Sequence, residues 1–229
     1  MSDSLYEGLW ISPNFIVERF NEIIQQCGSD FAIKSVKCKH EREAWVGALF
    51  ALGQRRISQY QYHYHVEIET EQETPDVYVS YLEVTNKGNQ RLIANIEVTD
   101  WVENSQGDLM EIINKKINKR YPNHFFLVVY VRWPGKAINF DYLYDEISKQ
   151  KVPFQEIWIL LAYADHDYQV TQVYPRKGLI RFNLQEELEK NKNQNYFSRF
   201  LKRDTGTEWV NLGKPPVIPL PDCKNKLDV

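Results

Sequence analysis

The stretch HFFLVVYVRW, residues 124–133, is a continuous apolar run with no alternation. Such a run is expected of a central strand buried on both faces. Burial on both faces needs a layer on each side, which means helices packed over a largely parallel sheet. EIWILLAYA, residues 156–164, has the same character. Two strands of this kind commit the chain to an α/β architecture.

The flanking periodicities fill in that architecture. Apolar residues at 15, 16, 20, 23 and 24 predict a helix over Phe15–Gln26, stopped by Gly28. A stronger helix is predicted over His40–Gly53, with Ala44, Trp45, Ala48, Leu49 and Leu52 as its stripe and Gly53 as its end. Glu41 lies one turn before Trp45, on the same face. Tyr60–Glu69 alternates as a strand, with Tyr62, Tyr64, Val66 and Ile68 on one side and His63, His65, Glu67 and Glu69 on the other. Asp76–Thr85 and Arg91–Val102 form a long hairpin through a turn at Asn86–Gln90. Gly107 and Asp108 open a helix running to about Tyr121, with Leu109, Ile112, Ile113 and Ile117 buried and Pro122 closing it.

Further elements are a helix at Tyr142–Lys149, a strand at Tyr168–Tyr174 pairing with 156–164, and a helix at Leu184–Lys190. The segment 91–133 is long enough for a right-handed crossover between parallel strands. The expectation is one α/β domain over residues 1–229: a core at about 40–133, further strands and helices at 134–210, and a Pro-rich tail at 211–229. An antiparallel hairpin feeds its mixed central sheet.

Composition narrows the function classes. A net charge of -3 argues against a protein coated in basic charge, while leaving room for a local basic strip. The cysteines Cys27, Cys38 and Cys223 are odd in number and form no C-x-x-C pair, which fits a reducing cytoplasm better than a disulfide framework. MSDSLYEGLW shows no signal-peptide pattern, and no window approaches the ~18 apolar residues of a membrane span. The expected location is cytoplasmic.

Within RLIANIEVTDWVE, residues 91–103, the pleat puts Ala94, Ile96 and Val98 on one side and Asn95, Glu97 and Thr99 on the other. Glu97 is therefore a carboxylate beside the most buried strand, expensive there unless paired or metal-bound. Asp76 opens the neighbouring strand directly after Pro75. Acidic groups on adjacent strands can meet, and Mg²⁺ takes one or two carboxylates with several waters.

A Glu-bearing helix, a strand opening Pro-Asp, a strand with Glu-x-Lys, then a crossover helix and a strand form the core of the PD-(D/E)XK nuclease-like superfamily. This chain resembles it through HEREAWVGALFALG with Glu41 or Glu43, Pro75-Asp76, and Glu97-Val98-Thr99, over roughly residues 40–133. The resemblance implies a restriction-endonuclease-like three-layer fold. It also implies Mg²⁺, or Mn²⁺ in its place, held by Asp76, Glu97 and the Val98 carbonyl, with Glu41 as the helix acid. The implied chemistry is metal-assisted phosphodiester hydrolysis, the metal polarising a phosphoryl oxygen and acidifying a water.

One position departs from the motif. Thr99 stands where the family has its lysine, and a hydroxyl supplies no positive charge. Either a lysine reaches the site from the next helix, Lys115 or Lys116, or the site is inactive and the fold binds nucleic acid or protein. Lys115, Lys116, Lys119 and Arg120 are candidate phosphate contacts, and equally an ordinary solvated helix end. A protein partner or a second copy of the chain is the other partner class.

Two further patterns are weaker. His63-x-His65 with Glu67 has metal-ligand spacing, but a tyrosine- and histidine-rich solvent face is the better reading without a fourth ligand. Asp165-His166-Asp167 reads as a polar turn.

Overall fold

The computed structural model describes residues 9–57, 64–68, 74–85, 88–102, 108–122, 124–132, 137–190, 201–202 and 220–223. Its elements in chain order begin with β1 (Leu9–Trp10), α1 (Pro13–Cys27), α2 (Ser29–Lys34), a 3-10 turn (Val36–Cys38) and α3 (Lys39–Ile57). Next come β2 (Tyr64–Ile68), β3 (Val77–Thr85), β4 (Gly88–Trp101), α4 (Leu109–Ile117), β5 (Phe125–Val131) and α5 (Phe140–Ser148). The chain continues through β6 (Glu156–Ala164), β7 (Asp167–Tyr174), β8 (Gly178–Asn183), α6 (Leu184–Glu189) and β9 (Leu201–Lys202).

Strands β2 to β8 form one seven-stranded sheet in sequence order. The β4–β5 and β5–β6 pairs are parallel, and the other four are antiparallel. Parallel neighbours need crossovers, and α4 and α5 provide them. Crossovers of one hand, stepping in one direction, put both helices on the same face. Leu109, Ile113 and Ile117 of α4 and Leu143 and Ile147 of α5 accordingly share one core with Leu127, Val129, Ile157 and Ile159. On the other face α3, backed by α1, packs on Val77, Val79, Ile96, Val98, Val128 and Leu160. This is a three-layer α/β core with a mixed central sheet flanked by helices, as the apolar runs require.

β5 and β6 contain the two apolar runs, and both are buried on both faces. Gly28 ends α1, with a φ of 87°. Other boundaries differ from the sequence reading. α3 passes through Gly53 to Ile57 rather than stopping there. A Cβ on Gly53 would lie 3.0 Å from Val170 and 3.1 Å from Phe182. The glycine is thus required by a close helix–sheet approach and not by a turn. α4 ends at Ile117, earlier than the expected Tyr121. The β3–β4 ladder reaches Thr85↔Gly88, tighter than the expected turn at Asn86–Gln90, and residues 86–87 lie outside the described residues. β8 and α2 were not foreseen: Ile180 and Phe182 of GLIRFN alternate inward, but the run is only six residues long.

The expected solvent face on β2 is also corrected. His65 and Glu67 are buried, on the side where Trp10 packs against Tyr78. His63, Glu69 and most of the Pro-rich tail lie outside the described residues. The expectation of unpaired cysteines is overturned as well. The fold brings Cys27 and Cys223 together as a disulfide with a Cα–Cα distance of 5.4 Å, across 196 residues of sequence. A separation of that length leaves no trace in cysteine spacing.

Candidate active site

β4 outruns β3, and the site forms where β3 begins. Val77 is opposite Ile96, and the Asp76 N–H donates to the Ile96 carbonyl at 3.0 Å. Beyond that point the next β4 donor on this edge, the Val98 N–H, goes to Asp76 Oδ2 at 2.7 Å. A strand residue's N–H and C=O point to the same edge, so the Val98 carbonyl faces the side from which Asp76 approaches. Strand pairing on the other edge continues to Trp101↔Val131.

Ile96 and Val98 point into the α3 core, so the pleat sends Glu97 to the α4 side. There Glu97 is 4% exposed, and its Oε1 accepts from Lys116 Nζ at 2.6 Å and Tyr121 Oη at 3.1 Å. Helical spacing decides between the two candidate lysines. Leu109, Ile113, Lys116 and Ile117 fall on one stripe, which carries Lys116 inward while Lys115 stays exposed. α4 ends before Tyr121, and the hydroxyl of that residue then closes on Glu97. Tyr121 and its role were missed in the sequence, where it counted only as the helix end. Thr99, two residues beyond Glu97, is half-buried and uncharged.

The helix acid turned to this cluster is Glu43, not Glu41. Glu43 is buried, with Lys39 Nζ 3.5 Å from its Oε1 and His40 Nδ1 3.6 Å from its Oε2. That carboxylate raises the His40 pKa. Burial raises the Asp76 pKa to about 7, and the charges of Glu43 and Glu97 add to the effect, against the opposing Val98 N–H and Lys116. Glu41 belongs to a different neighbourhood, with His40, Arg19 and Arg42, and its pKa is raised by burial. Two residues along a helix is about 200° of rotation, so the two glutamates cannot share a face.

Among the described residues no group of three His, Cys, Asp or Glu is arranged to hold a metal ion. Mg²⁺ does not require such a group, since it retains waters and takes one or two carboxylates. The pair fits that demand on two observations. Glu97 Oε2 is buried without a hydrogen-bond partner among the described residues. Asp76 is buried beside two further carboxylates, and burial first and their charges second raise its pKa to about 7. Asp76 and Glu97, with the Val98 carbonyl, are the groups that could hold the ion.

The remaining candidates lie elsewhere. Lys115, Lys119 and Arg120 are exposed at the end of α4. Asp165 and His166 form the turn between β6 and β7, where Asp167 takes a hydrogen bond from Asn183 Nδ2 at 2.8 Å. No helix among the described residues is long and apolar enough to cross a membrane. Neither a protein-family profile nor a curated protein matches the chain.

Proposed function

We propose that the chain is a divergent PD-(D/E)XK-type enzyme that hydrolyses phosphodiester bonds of nucleic acid with Mg²⁺. The observation that carries this reading is Lys116: an ammonium from the crossover helix lies 2.6 Å from Glu97, supplying the charge that Thr99 does not. The element order supports it as well, because α3, β3, β4, α4 and β5, with a parallel β4–β5 pair, follow the order that the resemblance implies, with β2 standing between α3 and β3.

Mg²⁺ held by Asp76, Glu97 and the Val98 carbonyl would supply Lewis acidity at the phosphoryl group. The chain's own residues do the rest. Lys116 carries three donors and a positive charge, so it can hold a water and stabilise its deprotonated form. Tyr121 fixes the Glu97 carboxylate by a second hydrogen bond to the same oxygen. The Val98 N–H fixes Asp76. Glu43 brings a third negative charge toward Asp76, and Lys39 and His40 hold Glu43.

The alternative is an inactive nuclease-like fold that binds nucleic acid or protein. It is favoured by the closure of Lys116 and Tyr121 on Glu97, which satisfies much of that carboxylate without a cation. The deciding experiment is incubation of single- and double-stranded DNA and RNA with the native chain, Asp76→Ala and Lys116→Gln, in Mg²⁺ or Mn²⁺. The enzyme reading expects metal-dependent cleavage lost in both variants. Cleavage by none of them, or equal cleavage by all three, would overturn it.

A further inference from the structure

The acid cluster has a second basic neighbour besides α4. Residues 34–42, KSVKCKHER, carry Lys34, Lys37, Lys39, His40 and Arg42. Glu41 is the acid within the run, exposed Asp30 pairs with Lys34 at 3.2 Å, and buried Glu43 pairs with Lys39 at 3.5 Å. They span the end of α2, the 3-10 turn and the first turn of α3. Arg42 is engaged in holding this turn: its Nη1 reaches the carbonyls of Ala32 and Ser35 at 3.4 Å each, and its Nε lies 3.6 Å from Asp100 Oδ2. Arg132, paired with the same Asp100, donates to the Ile33 carbonyl at 3.1 Å. Ser35 Oγ accepts from the Lys37 N–H at 3.2 Å, and Cys38 is buried beneath.

Two guanidiniums, Arg42 on α3 and Arg132 just past β5, therefore grip the backbone of residues 32–35. The turn presents outward Lys34, Lys37, Lys39 and Val36, and Val36 is 80% exposed. A single exposed apolar residue is ordinary. On a fixed basic turn it is also the kind of residue that lies against sugars or enters a minor groove. The position relative to the cluster comes from the ion pairs. Lys39 is 3.5 Å from Glu43, Lys116 is 2.6 Å from Glu97, and Asp76 feels both carboxylates. Each basic run thus places one lysine on a carboxylate of the cluster.

We infer that the Lys34–Lys39 turn is a second phosphate-contacting bank, so that a nucleic-acid duplex lies across the acid cluster between this turn and Lys115, Lys119 and Arg120. The inference rests on the hydrolytic reading for what lies at the centre, but binding separates it from cleavage. Each lysine that neutralises a phosphate releases counterions and steepens the salt dependence of binding. Val36 contributes contact without charge.

The test is fluorescence anisotropy of a labelled duplex of about 20 base pairs, titrated from about 50 to 200 mM NaCl, with Ca²⁺ as the only divalent cation. The native chain is compared with Lys34→Gln/Lys37→Gln and with Val36→Ser, after thermal unfolding shows all three folded. The double variant should lower the slope of log K against log salt by roughly 1.8, about 0.9 per lysine. Val36→Ser should weaken binding severalfold at an unchanged slope. A double-variant slope equal to the native one, or no saturable binding by the native chain at low salt, overturns the inference. An unchanged slope with Mg²⁺-dependent cleavage intact removes the bank and leaves the hydrolytic reading standing. A reduced slope in a chain that cleaves nothing keeps the bank and removes the hydrolytic reading.

Discussion

Asp76 is the residue on which burial and charge conflict most. Its pKa rises from the ordinary 3.8 to about 7, so between those values the folded state holds a proton that the unfolded chain has released. Stability is therefore fully present below about pH 4 and declines as pH rises toward 7. At about 1.4 kcal/mol per unit, the loss above neutrality is of the order of 4 kcal/mol. Asp76→Asn keeps an oxygen for the Val98 N–H and removes the charge. In urea unfolding the variant should gain up to a few kcal/mol over the native chain at pH 8 and almost nothing at pH 4; a variant less stable at pH 8 would contradict this. Lys116→Met leaves Glu97 buried beside Tyr121 alone. Breaking a buried pair from one side costs about 3–5 kcal/mol, so its unfolding midpoint should drop sharply, whereas Lys116→Arg should retain most of the stability.

At the scale of elements, α3 and the sheet approach each other through glycine. A Cβ on Gly47 would stand 2.9 Å from Val77 Cγ2 and 3.6 Å from Val66 Cγ1, both in the core. Alanine is the better helix former by about 1 kcal/mol, yet here overpacking should win. Gly47→Ala is expected to destabilise by about 1–3 kcal/mol; a gain on chemical denaturation would show that the sheet yields instead. The same element shows what a sequence hides. Its apolar stripe was legible because it repeats at helical spacing, whereas Gly53 looked like a stop because a turn glycine and a packing glycine are identical in sequence. β5 and β6 were legible from their unbroken apolar runs, as was the parallel crossover from the length of 91–133. The pleat gave Glu97 its side. The choice of Glu43 over Glu41 depends on which face of α3 meets the start of β3, and periodicity alone does not carry that information. Lys116 was legible only as one of two neighbours until the α4 stripe was seen to include it.

Over the whole molecule, distant segments are tied where sequence spacing gives no sign. Cys27 ends α1, and Cys223 and Leu220 pack on the cluster of Phe20, Ile23 and Phe31. The third cysteine, Cys38, is buried, and burial raises its thiol to about 11. Denatured without reductant, the chain should show one titratable thiol, and after reduction all three. Reduction should also lower stability by about 2–5 kcal/mol; three thiols without reductant would contradict the pairing. The net charge of -3 is spread unevenly. Carboxylates gather where β3 begins, and Lys39 and Lys116 each pair with one of them. The most direct test of that arrangement is calorimetric titration of Mg²⁺ and Mn²⁺ into the native chain, Asp76→Ala and Glu97→Ala. The account predicts saturable binding by the native chain that each substitution abolishes. No heat of binding at millimolar metal, or binding unchanged in either variant, would mean that the acidic pair is not a metal site.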